Sequence, residues 1–130
     1  MYKVLRSKML NPSGKVVFIT SVDSGYGQSL ACTLARMDVT VLAGCADPAS
    51  DVLRGLRDLG VYLIRFEPGN ENAITEGMMR LTLRLATWNR DIDAVVINSG
   101  ADAFGDFEWT SVDYIKQIIE INCLQVARYD

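Results

Sequence analysis

Histidine is absent from the 130-residue chain. That excludes a Ser-His-Asp triad, a Cys-His dyad and every His-ligated metal site, and no metal site is expected. Cysteine is scarce. Cys32, Cys45 and Cys123 are odd in number and far apart, as suits reduced thiols inside a cell rather than a disulfide framework. Positive charge is not in excess: Lys plus Arg is 13 against 16 Asp plus Glu, for a net charge of −3. A nucleic-acid partner, which needs a basic surface, is therefore not expected. No apolar run approaches the roughly 18 residues of a membrane span. The basic residues near the start (Lys3, Arg6, Lys8, Lys15) precede no apolar stretch long enough for a signal peptide. An intracellular protein with no indicated membrane contact is the expectation.

What is present is an ordinary globular composition, 49% hydrophobic and 22% charged, at the length of one domain. Asn11-Pro12-Ser13-Gly14 is a turn signal, so residues 1–14 read as a tail and residues 15–130 as the domain. Lys15-Val-Val-Phe-Ile-Thr20 is short, β-branched and nearly all apolar, like a strand covered on both faces. Ser24 to Met37 reads as a helix with Leu30, Leu34 and Met37 on one stripe. Val39 to Ala43 is a second strand. A helix follows from Asp47-Pro48, with Val52, Leu53, Leu56 and Leu59 sharing a face and Gly60 placed to end it. Val61 to Phe66 is a third strand. The strongest helical period runs from Asn70 or Glu71 to Trp88, through Ile74, Met78, Leu81 and Leu85. Asp93 to Asn98 is a fourth strand, and a last helix spans Ser111 to about Val126, with Thr110 and Asp113 at capping-box spacing. Strands joined by helical crossovers run parallel. The expected fold is a doubly wound, Rossmann-like α/β sheet.

Residues 20 to 27, Thr-Ser-Val-Asp-Ser-Gly-Tyr-Gly, lie between the first strand and its helix. Gly25 and Gly27 there leave backbone room for a phosphate at a helix N-terminus, whose free N–H groups favour an anion. The competing reading is that both glycines only allow close helix–sheet packing.

The loop resembles that of the short-chain dehydrogenase/reductase family, which carries Thr-Gly-x-x-x-Gly-x-Gly. Thr20, Gly25 and Gly27 match, and Ser21 stands where the first glycine belongs. Asp23-Ser24-Gly25-Tyr26-Gly27 is most similar to the retinol, 17β-hydroxysteroid and 3-hydroxybutyrate dehydrogenase branch. The likeness continues through Val41 to Cys45. It returns at Val96-Ile97-Asn98-Ser99-Gly100, a degraded Asn-Asn-Ala-Gly, and at Glu120-Ile121-Asn122, where the family has an active-site asparagine. It covers about residues 14 to 128.

The resemblance implies a nicotinamide dinucleotide, NAD(P), bound by Thr20, Ser21, Ser24, Gly25, Tyr26, Gly27, Cys45, Asp47, Glu67, Asn98 and Gly100, with Asn122 as the catalytic candidate. Thr20 would brace the loop against the turn after the fourth strand. If Ser21 needs a positive φ, a non-glycine residue there costs about 1–2 kcal/mol. Cys45 occupies the position of the family's ribose-binding acidic residue. Asp47, two places late, is either a ribose ligand or an N-cap. Glu67 would face the adenine or simply be solvated. No Arg or Lys lies between Arg36 and Arg54 to hold a 2′-phosphate, so NAD is mildly preferred over NADP. Asn98 closes what reads as a buried strand, and Asn122 falls on the stripe of Ile115, Ile119 and Val126. Both need hydrogen-bond partners.

The implied activity is that of an oxidoreductase on a secondary alcohol or ketone of the steroid, retinoid or hydroxy acid class, with a small lipophilic alcohol as partner of a full-length form. None of Tyr2, Tyr26, Tyr62, Tyr114 and Tyr129 has a lysine four residues on within the chain, so the family's Tyr-x-x-x-Lys pair is missing. The expectation is a dinucleotide-binding domain truncated after the helix that follows the fourth strand, inactive alone and prone to self-association. A non-catalytic nucleotide-binding, regulatory or interaction module is the alternative.

Overall fold

Val16-Val-Phe-Ile19 is buried at every position, because the sheet it belongs to is covered on both sides. In the computed structural model, residues 11–23, 25–102, 105–124 and 126–128 are described. Strands β1 (Val16–Ile19), β2 (Thr40–Cys45), β3 (Tyr62–Arg65) and β4 (Ala94–Val96) alternate with helices α1 (Gly25–Arg36), α2 (Arg54–Asp58), α3 (Glu71–Trp88) and α4 (Val112–Ile119). The strands pair in parallel in the order β3-β2-β1-β4. The chain thus winds outward from β1 to β3 and then returns past β1 to β4. The reversal leaves a crevice at the carboxyl ends of β1 and β4, where ligands of open α/β sheets bind.

The two-residue alternation of a strand sorts β1 between the layers. Val17 and Ile19 join Ala31 of α1 and Leu53 and Leu56 of the α2 region. Val16 and Phe18 join Ile74 and Leu81 of α3, with Met78, Leu85 and Trp88 beside them. Phe66 is fully buried and packs edge-on against Phe18, with ring centroids 5.5 Å apart. Gly44 and Gly77 make room for it, since a Cβ on Gly77 would sit 2.8 Å from the Phe66 ring. The α3 helix begins at Asn70, whose side chain accepts from the Ala73 N–H at 3.1 Å, an N-cap bond.

Several expectations are corrected. The helix after β2 is shorter than its pattern: a 3₁₀ turn over Asp51–Leu53 precedes a single α-turn. Of Val52, Leu53, Leu56 and Leu59, only Leu53 and Leu56 are buried, and Val52 and Leu59 are exposed. Met37 lies beyond the end of α1 and is exposed. The cap of α4 is Ser111, which accepts from the Tyr114 N–H at 3.2 Å, while the Thr110 hydroxyl donates to the Asp106 carbonyl. The last helix is not α-helical throughout. A π turn over Glu120–Leu124 and a 3₁₀ turn over Val126–Arg128 follow α4. Strand β4 is not buried, because among the described residues nothing pairs with its outer edge, and Val95 and Ile97 are exposed. No helix among the described residues is long and apolar enough to cross a membrane.

Candidate functional site

The loop after β1 is held to both neighbouring strands. Thr20 N–H donates to the Val96 carbonyl at 3.0 Å, and Val22 N–H donates to the Gly44 carbonyl at 2.9 Å. Thr20 is fully buried. Its hydroxyl oxygen accepts from the Asn98 N–H at 2.9 Å, the Ser99 N–H at 3.1 Å and the Ser99 hydroxyl at 2.9 Å. One threonine therefore ties the end of β1 to the turn after β4.

Ser21 has φ +55°, the left-handed region. Its carbonyl accepts from the Asn98 side-chain amide at 2.8 Å, and its hydroxyl donates to Ser99 Oγ at 3.0 Å. Asn98 is half-buried, and its amide has the partner a polar strand end requires.

The two glycines do different things. A Cβ on Gly27 would overlap the Ser21 carbonyl and the Asn98 amide, so glycine there permits α1 to approach the sheet. Gly25 heads α1 with φ +59°, and a Cβ there would meet nothing within 4 Å. Glycine at this position serves backbone conformation and leaves open space before a helix N-terminus with no acidic residue in its first turn. Close packing thus explains Gly27 and not Gly25. Tyr26 is exposed, and Ser24 lies outside the described residues.

At the end of β2 the Cys45 thiol faces the core and donates to the Ile64 carbonyl at 3.6 Å. Burial pushes it up to about 12, helped by the nearby carboxylates of Asp23 and Asp47 and opposed by Arg57. Asp47 is exposed and accepts from the Ala49 N–H at 2.9 Å, closing the turn that leads to the 3₁₀ segment. Asp23, which the sequence reading passed over, accepts from the Ala46 N–H at 2.9 Å and so brings a second carboxylate to this strand end. Arg57 is engaged by the Pro48 and Ser50 carbonyls, each at 2.8 Å. Glu67 is half-buried, 3.6 Å from Arg65, and accepts from the Asn70 side-chain amide at 3.4 Å.

Asn122 is exposed, which corrects its placement on a core-facing stripe; Ile121 is the buried residue. The π turn takes up an extra residue, so the α-helical spacing through Ile119 and Val126 no longer describes one face. Asn122 is nevertheless hydrogen-bonded. Its amide donates to the Ala101 carbonyl at 2.8 Å, and its oxygen accepts from the Ala101 N–H at 2.9 Å. It thereby holds the segment beyond Gly100, itself exposed, beside the crevice.

Two participants escaped the sequence reading. Ser99 bonds residues 78 and 79 positions earlier, a separation that no local pattern reveals. Asp23 stood in the loop string, and only the fold shows that it reaches Ala46.

Known proteins share this architecture. The chain is 30% identical over 121 residues to D-beta-hydroxybutyrate dehydrogenase, mitochondrial, of Mus musculus, covering 89% of this chain and 35% of that protein. It is 31% identical over 125 residues to the Bos taurus protein of the same name and 29% identical over 111 residues to retinol dehydrogenase 7 of Mus musculus. It spans about a third of the length of these relatives. Among solved structures, a short-chain dehydrogenase/reductase from Serratia marcescens superposes with a TM-score of 0.71 at 20% identity, covering 91% of this chain and 49% of that one. A short-chain type dehydrogenase/reductase from Mycobacterium marinum gives a TM-score of 0.73 at 21% identity, covering 90% and 47%. No family model matches the chain.

Proposed function

Taking as premise that this chain belongs to the short-chain dehydrogenase/reductase family and corresponds to the N-terminal part of its relatives, we propose that it binds NAD(P) as the dinucleotide-binding part of an oxidoreductase acting on a secondary alcohol or ketone. The observation that carries the reading is Gly25: open space at a positive-φ glycine at the N-terminus of helix α1, beside the crevice between β1 and β4. The pyrophosphate would lie over Gly25–Gly27, on a loop shaped by Thr20, Ser21, Asn98 and Gly100. The cofactor, when bound, accepts or donates a hydride.

NAD is favoured over NADP. Asp23 and Asp47 are close enough to the end of β2 to raise the Cys45 thiol, and two carboxylates repel a 2′-phosphate. Asp47 is the carboxylate proposed for the ribose hydroxyls, since the Cys45 thiol is buried. Glu67 is proposed for the adenine edge. Asn122 is proposed to orient a water of a proton relay, using the amide hydrogen and the lone pair that Ala101 leaves free. The retinoid or hydroxy acid class of substrate is proposed from the relatives' names, and the steroid class from the resemblance of the loop at Asp23 to Gly27.

A non-catalytic nucleotide-binding module is the second reading. It is favoured by Ser21 and Ile97, which stand where the resemblance expects a glycine and an asparagine. Self-association through the open edge of β4 is proposed with either reading.

NADH titration of the 130-residue chain, following energy transfer from Trp88 and Trp109 to the nicotinamide, tests the binding. Saturable transfer that NAD competes away more effectively than NADP is expected. No transfer at millimolar NADH overturns the dinucleotide reading. NADH formation with a panel of secondary alcohols separates the two readings. None is expected from this chain, and turnover lost in Asn122→Ala would overturn the second reading.

A further inference from the structure

We propose that Ser21 and Ser99 form a hydroxyl latch that fixes the shape of the loop after β1. They would be coupled positioning residues for the dinucleotide, an inference that rests on the reading of this loop given above. A non-glycine residue persists in the left-handed region only where its surroundings over-determine it. Around Ser21 they do. Its hydroxyl donates to Ser99 Oγ at 3.0 Å, and the Ser99 hydroxyl passes the chain on to Thr20 Oγ1 at 2.9 Å. The Ser21 carbonyl receives the Asn98 amide at 2.8 Å. Thr20 is fully buried, so the chain of hydroxyls is anchored in the core. Successive hydrogen bonds of this kind polarise and strengthen one another.

The latch matters to the site because of the peptide it orients. The Ser21 carbonyl is the atom that a Cβ on Gly27 would overlap. The first turn of α1 therefore rests on the peptide whose direction the latch sets. Turning that peptide displaces Gly25, Tyr26 and the helix amides that would face the pyrophosphate. Glycine at position 21 would adopt the same φ more readily, yet it would lack the hydroxyl. Ser21 is thus a strained residue offset by a second serine from the far side of the crevice.

A double-mutant cycle in the 130-residue chain tests this. S21A, S99A and S21A/S99A are measured by NADH titration, thermal midpoint and hydrogen exchange of the Asn98 and Ser99 amides. Alanine keeps the Cβ and the positive φ at position 21 and removes only the hydroxyl. Each single change is expected to weaken NADH binding about 3- to 10-fold, the worth of one net hydrogen bond, and the double change to weaken it no more than the worse single. Independent, multiplying effects overturn the latch. So does a lowered thermal midpoint with unchanged NADH affinity, which marks a purely structural pair. If the alanine variants do not fold, S21G supplies the background: S99A should then cost less affinity than beside Ser21, and equal cost overturns the proposal. If the parent chain binds no NADH, the dinucleotide reading fails by itself. The latch is then decided by exchange: faster exchange at Asn98 and Ser99 in S21A supports it, and unchanged exchange overturns it.

Discussion

The side-chain amide of Asn98 lies 2.5 Å from the place a Cβ on Gly27 would occupy. Helix α1 and the turn after β4 are therefore in contact at a position that only glycine allows. Gly27→Ala must push either the Asn98 amide or the Ser21 peptide aside. A loss of about 1–3 kcal/mol is expected from such overpacking, read as a lower urea midpoint, with NADH binding weakened alongside. Gly25→Asn provides the contrast. Asparagine tolerates the left-handed region, and a Cβ there meets nothing. Stability should hold while NADH binding falls, because the new side chain enters the space before the helix amides.

Asp93 should contribute to the loss of stability in acid. Its carboxyl is held below its usual 3.8 by the Lys15 ammonium hydrogen bond, and next by the Val16 N–H. Both contacts are 2.8 Å long. A carboxylate with a depressed folded-state pKa contributes stability that is present above its unfolded value and is lost as pH falls through the folded one. Urea midpoints recorded from neutral pH downward should decline below about pH 4. In Asp93→Asn that part of the decline should be absent, with a lower midpoint at neutral pH. An unchanged acid profile would contradict the assignment.

Cys45 and Cys123 should separate by reactivity. The Cys45 thiol is buried and pushed up to about 12, whereas Cys123 is exposed. Only the thiolate reacts readily. Iodoacetamide at pH 8 should label Cys123 in the native chain and reach Cys45 only in denaturant, as mass spectrometry of the peptides would show. The neutral thiol is the form the fold prefers, so its contribution persists below the usual value of 9.0 and is lost as pH rises toward 12. Early labelling of Cys45 would contradict this.

The outer edge of β4 carries Val95 and Ile97, 48% and 40% exposed. Unpaired strand edges template association. Light scattering at tens of micromolar should show association that Val95→Glu or Val95→Lys reduces, since charge on an edge is how strands are kept apart. A parent chain that stays monomeric throughout would remove the self-association proposal.

The parallel α/β layout was legible in the sequence because its signals are local. Four short apolar runs separated by helical periods force crossover connections, and those make the strands parallel. The long α3 stripe was clear for the same reason, since Ile74 and Leu81 repeat at the spacing that a straight helix turns toward a sheet. The last helix was less legible. The reading through Ile119, Asn122 and Val126 assumed an α-helical period, and the π turn at Glu120–Leu124 broke it. Asn98 read as the close of a buried strand because a run of apolar residues looks alike at the centre and at the edge of a sheet, whereas the exposed edge expected at Ala94 to Ile97 is present.

The sequence by itself determined the order of the elements and the place of the glycine loop between β1 and α1, since each depends on composition within a few neighbouring residues; the bracing of that loop against the turn after β4 was implied only by the family resemblance. Tertiary structure decided what the site residues do. It gave Gly25 open space and Gly27 none, turned the Cys45 thiol inward, carried the Asp23 carboxylate to Ala46, and set Ser21 against Ser99. These relations join residues more than twenty or even seventy positions apart in several cases. They exist only once the hydrophobic layers on the two faces of the sheet have brought the carboxyl ends of β1, β2 and β4 side by side.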